Sequence, residues 1–152
     1  MKRTLFLLVF IPILALSQGK RTIGLEIESG EPIPITVDQL SNVGTKLGLT
    51  ERSISDRVEQ YLKKLGVRAS RTNKGIYLSV DVDVDEKTFG VIVKFRRLGS
   101  FTARNQTFEQ YITSWVVYSF GSHNDRARPI LDAIDENLGY FAQGFKMANP
   151  NY

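Results

Sequence analysis

The stretch that most constrains this chain is Ile76 to Asp85, where Ile76, Leu78, Val80, Val82 and Val84 alternate with Tyr77, Ser79, Asp81, Asp83 and Asp85. A period of two is the mark of a β-strand with one buried and one solvated face. Such a strand needs partners, and the chain supplies them. Phe89, Val91, Val93 and Phe95 continue the apolar row beyond the turn at Asp85-Glu86-Lys87-Thr88, so an antiparallel hairpin is the most economical pairing. Gly99 interrupts this second run and is the expected site of a bulge. After a turn around Arg104-Asn105-Gln106, Thr107 to Phe120 reads as a third long strand.

Two amphipathic helices frame these strands. Thr50 is a suitable N-cap, Ile54, Val58, Tyr61, Leu62 and Leu65 share one helical face, and Gly66 stands where a helix ends. Near the C-terminus Ile130, Ile134, Leu138, Phe141 and Phe145 form a second stripe, with Asn124 the expected cap, Pro129 in the first turns and Asn149-Pro150 the stop. Between the first residues and the first helix, Thr22 to Glu28 and Ile33 to Val37 read as a weak pair of strands. Pro32 and Pro34 place the second of them at an edge or in an extended arm. The connector through Asn42, Gly44 and Gly48 reads as a loop with room for one helical turn. The fold class is therefore α+β, with two helices packed on one face of a three- to five-stranded, mostly antiparallel sheet.

The N-terminus speaks to location. Met1-Lys2-Arg3, an apolar run from Leu5 to Leu16 and the small-residue site Ala15-Leu16-Ser17 read as a secretory signal peptide. The run is shorter than the ~20 residues a membrane-spanning helix takes, so membrane contact is expected only through this leader before cleavage. Residues 1–17 are thus assigned to the leader and residues 18–152 to a single domain in the periplasm or outside the cell. Loss of Lys2 and Arg3 from the 20 basic residues leaves 18 against 16 acidic ones, a net of +2 rather than +4. That balance gives no reason to expect nucleic acid as a partner. The chain has no cysteine, which excludes disulfides, thiolate metal sites, a cysteine nucleophile and a lipidated cysteine.

Chemistry-bearing residues are few. Asp81, Asp83, Asp85 and Glu86 have the composition of a hard-cation site, but carboxylates two apart on a strand stand roughly 7 Å from one another, and the glycine and later glutamate of an EF-hand loop are missing. They read better as a solvated row beside Lys94 and Arg96 of the next strand. His123, the single histidine, lies in Gly121-Ser122-His123-Asn124. A serine hydrolase would need it as base, yet the chain has no Gly-x-Ser-x-Gly, no His-Glu-x-x-His and no glycine-rich phosphate loop. A turn or capping role is the expectation, with no catalytic residue, metal or cofactor assigned.

The sheet face away from the helices offers more. It should display Tyr77, Ile92, Lys94 and Arg96, joined by either the Ile112, Val116, Tyr118 and Phe120 row or the Tyr111 and Trp115 row, according to the register after Gly99. Tyr77, Ile92, Lys94, Arg96 and Tyr118 are accordingly the candidate binding residues, because aromatic and arginine side chains on one exposed face suit protein contact. The competing reading is that the arm from Thr22 to Val37 covers this face.

Leu47-Gly48-Leu49-Thr50-Glu51, the helix to Leu65-Gly66-Val67, Tyr77-Leu78-Ser79-Val80-Asp81-Val82 and the closing helix to Ala148-Asn149-Pro150 together resemble a family of small exported bacterial proteins of unassigned activity. The order of helix, three strands and helix is also similar, at the level of fold, to envelope accessory domains that bind other envelope proteins. Together with the open sheet face, this leads to the expectation of a non-enzymatic periplasmic or secreted binding protein that uses a sheet face or exposed edge to hold another envelope protein or a second copy of itself. The alternative is a small hydrolase or divalent-ion-dependent enzyme that uses His123 or the Asp81 to Glu86 end of the hairpin.

Overall fold

The computed structural model describes residues 24–28, 30–70 and 75–152. The leader at residues 1–17, and Thr22 and Ile23 of the first expected strand, lie outside them. The described residues form β1 (Ile33–Leu40), α1 (Asn42–Lys46), α2 (Glu51–Lys64), β2 (Ala69–Ser70), β3 (Ile76–Val84), β4 (Thr88–Ala103), β5 (Gln106–Ser122) and α3 (Arg128–Ala148). The five strands make one mixed sheet in the order β2-β1-β3-β4-β5, and the fold is α+β.

The three strands expected from alternation pair as expected. β3 and β4 are antiparallel from Ile76↔Arg97 to Val84↔Phe89, and β4 and β5 from Thr88↔Ser122 to Ala103↔Gln106. Arg104 and Asn105, both with positive φ (50° and 58°), make the tight turn between β4 and β5. Two left-handed residues suit the right-handed twist of a hairpin, and asparagine tolerates that conformation well.

β1 departs from expectation. It is neither an edge strand nor an arm, but an interior strand that runs parallel to both β2 and β3. A parallel pair needs a crossover, which α1 and α2 supply. Pro34 is tolerated because it precedes the ladder to β3, which opens at Ile35↔Leu78. Strand alternation contains no information about a crossover, so this relationship is absent from the local pattern.

The bulge also falls elsewhere. Phe95 pairs with Trp115 and Arg96 with Thr113, which leaves Ser114 as the extra residue on β5. Its hydroxyl bonds the carbonyls of Phe95 (3.3 Å) and Gly24 (2.8 Å). Gly24 packs so closely here that a Cβ on it would sit 2.9 Å from that of Ser114. Gly99, the expected site, stays in register opposite Gln110 and instead leaves room for Ile112.

α2 is held at its start by reciprocal bonds of 3.0 Å, Ser53 N–H to Thr50 Oγ1 and Thr50 N–H to Ser53 Oγ, and it ends before Gly66 at φ 76°. α3 begins later than its expected cap. Asn124 has φ 44° and lies in the turn, while α3 starts at Arg128 after Ala127 with no side-chain cap and Pro129 in its first turn. α2 and α3 are clamped by a two-pronged contact from Arg57 to Asp135, at 2.8 and 2.7 Å.

The core fills the space between these helices and one sheet face. Ile54, Val58 and Leu62 of α2, Ile130, Ile134, Leu138, Phe141 and Phe145 of α3, and the apolar rows of β3 and β4 are buried. Each such side chain contributes roughly 1.5–3 kcal/mol by leaving water. Leu25 joins them, held by Asn149 at the end of α3: its amide donates to the Leu25 carbonyl (2.8 Å) and its oxygen accepts from Ile27 N–H (2.9 Å). The segment from Gly24 to Glu28 therefore runs between the end of α3 and the bulge of β5, with Leu25 in the core. The outer sheet face is left uncovered by the described part of the N-terminal arm.

Candidate functional site

The outer face takes its residues from the register. Across the sheet, Tyr77 faces Arg96 and then Thr113; Ser79 faces Lys94 and Val116; Asp81 faces Ile92 and Tyr118; Asp83 faces Gly90 and Phe120. The bulge at Ser114 decides between the two rows of β5. Val116, Tyr118 and Phe120 point outward on one side of it, and Tyr111 points outward on the other. Trp115 turns inward to meet Phe141, with ring centroids 5.4 Å apart. Ile112 pairs with Arg97 and belongs to the inner side. Neither of the two rows read from sequence is outward along its whole length, because one inserted residue reverses the alternation.

Of the five candidate residues, Tyr77, Ile92, Lys94, Arg96 and Tyr118 all lie on this face, in two groups. At one end Tyr77 is only 8% exposed, since β3 is interior and Tyr111 and Arg96 close over it. The Arg96 guanidinium lies 5.5 Å from the Tyr77 ring centre, pairs with Asp38 of β1 at 3.5 Å and donates to the Tyr111 carbonyl at 3.4 Å. Burial raises the Tyr77 phenol above its usual 10.0; Arg96 opposes this, and Asp38 and Tyr111 reinforce it. Lys94 lies in the middle and is drawn onto Asp81 in an ion pair. The expected solvated row on β3 is thus covered at Tyr77, Ser79 and Asp81 and open only at Asp83 and beyond.

The second group is open. Tyr118 is 65% exposed and Phe120 is 74% exposed, their ring centroids 5.6 Å apart. Beside them runs a groove of about 720 Å³ lined by Asp81, Asp83 and Asp85 on one wall, Gly90 and Ile92 on the floor and Phe120 on the other wall. Phe120 and Gly90 are not among the five candidate binding residues, and Asp83 enters only in the alternative reading of the hairpin end. The phenylalanine was legible as an outward aromatic, but the groove depends on which residues meet across three strands, and that follows from register alone.

His123 does not face this groove chemistry. It is 1% exposed, accepts from Asp125 N–H through Nδ1 (3.1 Å) and meets the Asp85 carbonyl through Nε2 (2.9 Å). Because a backbone N–H can only donate, Nδ1 carries no proton, and Nε2–H donates to Asp85. The ring clasps the β3–β4 turn to the segment leading into α3. Its role as a turn residue is thereby explained, and both nitrogens that a general base would use are engaged. Among the described residues, no group of three or more histidine or carboxylate side chains could hold a metal ion.

No family model, curated protein or solved structure matches the chain. The functional reading rests on the geometry of the outer face.

Proposed function

We propose that this chain is an exported, non-enzymatic accessory protein that holds another envelope protein, or a second copy of itself, through the outer face and free edge of its sheet. The observation that carries this reading is the exposure of Tyr118 and Phe120, 65% and 74%, on a sheet face that the described residues leave uncovered. Aromatic side chains concentrated on one face, with charged groups at its margins, are the makings of a protein contact. β5 adds a second means of attachment. It is 17 residues long and pairs only with β4 among the described residues, and Glu109 is its one charged side chain. A long edge with little charge and no proline is open to strand addition. The leader-like N-terminus and the resemblance to small exported proteins support the location, and the engagement of both His123 nitrogens supports a non-enzymatic role.

Native-state chromatography of envelope extracts tests the reading. The wild-type protein is expected in a complex larger than one chain, and Tyr118→Glu with Phe120→Glu is expected to elute as the free chain. Identical elution of the two proteins would remove the proposal.

A further inference from the structure

The outer groove is a slot between carboxylates and an aromatic ring, and its width follows from the ladder. Asp83, Gly90 and Phe120 are successive partners across β3, β4 and β5. With neighbouring strands about 4.8 Å apart, the backbones of Asp83 and Phe120 are separated by about 10 Å. Gly90 contributes no side chain between them, and the Phe120 ring leans over it, 3.1 Å from where a Cβ would stand. The ring therefore covers part of the glycine, and the groove runs between the ring edge and the carboxylates of β3.

Two further observations set the chemistry. The Asp83 carboxylate is exposed and makes no hydrogen bond or ion pair with another described side chain, so among the described residues its charge is open to a ligand. Asp81, nine-tenths buried, also lines the groove. Lys94 holds one of its oxygens, but Oδ1 has no hydrogen-bond partner. The unpaired oxygen is itself buried, so it contributes negative potential behind the groove rather than a direct contact to a ligand. The required ligand must carry positive charge, donate hydrogen bonds and present an apolar stem to Ile92 and Phe120. Lysine and arginine side chains have this combination, and a cation against an aromatic face gains further. A bare divalent ion suits the slot poorly, because adjacent carboxylates on a strand stand roughly 7 Å apart.

We propose that this groove is the binding site for a lysine or arginine side chain on an extended segment of a partner polypeptide. The proposal rests on the accessory-protein reading above and specifies its partner's chemistry. A polypeptide is favoured over a small free cation because the exposed surface continues from Phe120 to Tyr118 along β5, where residues flanking the cation would lie. Salt should weaken the contact, since Asp83 is exposed.

The test is an amide-shift titration of the whole purified chain with four probes: a capped pentapeptide alternating leucine and lysine, the same peptide with glutamate for lysine, spermidine, and calcium chloride. Saturable shifts at Asp83, Gly90 and Phe120 are expected with the lysine peptide, and none with the glutamate peptide. Asp83→Asn should weaken binding by about fivefold, the equivalent of ~1 kcal/mol for a partly exposed ion pair. Gly90→Leu should abolish it by displacing the Phe120 ring and filling the floor, with retained amide dispersion showing that the variant is folded. Tighter binding of spermidine or calcium than of the lysine peptide would overturn the proposal, as would indifference to Asp83→Asn. Equal binding of both peptides through Tyr118 and Phe120 would also overturn it while leaving the accessory role intact. Silence with all probes overturns it too, and chromatography of the native complex then decides the accessory role separately.

Discussion

Tyr111 closes over Tyr77 edge to face, their ring centroids 4.8 Å apart and their planes crossing at 74°. Tyr77 sits on the strand around which the sheet is built, and Tyr111 comes from beyond the bulge on β5, two strands away. This contact seals one end of the outer face, so the surface open to a partner is shifted toward Tyr118 and Phe120. Aromatic pairs in this geometry contribute about 0.5–1.5 kcal/mol beyond their buried area.

A titration consequence follows from that seal. Because burial raises the Tyr77 phenol, the folded state favours the neutral form and holds its proton beyond the unfolded value near 10.0. The associated stabilisation is complete below the unfolded pKa and is lost as pH rises through the folded one. Tyrosinate absorbance should show a late-titrating phenol in the folded protein that is absent from Tyr77→Phe. Tyr111→Ala should bring that titration earlier, and Tyr77→Phe should reduce the loss of stability in alkali. A Tyr77→Phe protein with an unchanged alkaline stability profile would contradict this account.

Asn137 makes a second prediction, in the core. It is fully buried on α3, donates to the Val91 carbonyl at 3.2 Å and accepts from the Ser119 hydroxyl at 2.7 Å. These bonds tie the helix to β4 and β5 at fixed positions. Asn137→Ala should cost roughly 1–3 kcal/mol in urea unfolding, because it leaves the Ser119 hydroxyl without this partner as well as removing a bond. Ser119→Ala should cost less, since the asparagine can still donate to Val91.

The fold was legible in the sequence wherever it depended on local period. β3, β4, β5, α2 and α3 follow from apolar spacing, and the capping of α2 from Thr50. Three features were not. The parallel placement of β1 depends on a crossover between elements that are far apart in sequence. The bulge at Ser114 is carried by an ordinary serine, whereas the more conspicuous Gly99 remains in register. The covering of Tyr77 required knowing that β3 is interior and that Tyr111 lies across from Leu98. Of the candidate site, the outward aromatic residues were legible singly. The groove was not, because Asp83, Gly90 and Phe120 are brought together only by the pairing of three strands.

His123 supplies a prediction that separates a structural clasp from a catalytic base. Loss of the ring in His123→Ala removes the bonds to Asp85 and Asp125 and should destabilise the fold by roughly 1–3 kcal/mol. Amide exchange should quicken at Asp125, while contact through Tyr118, which lies away from the clasp on β5, is retained. Nitrogen spectra of the wild type should show the proton on Nε2. A ring protonated at Nδ1 would contradict the described hydrogen bonds, and substrate turnover abolished in His123→Ala would favour an enzyme.

A partner of this protein should occupy the face bearing Tyr118 and Phe120. Site-specific photocrosslinking in the native cell measures this most directly, with benzoylphenylalanine placed at Phe120 and, as a control, at the exposed Gln143 on α3. A discrete adduct is expected from position 120, reduced by Asp83→Asn, and none from position 143. Equal adducts from both positions, or an adduct from position 143 alone, would contradict it.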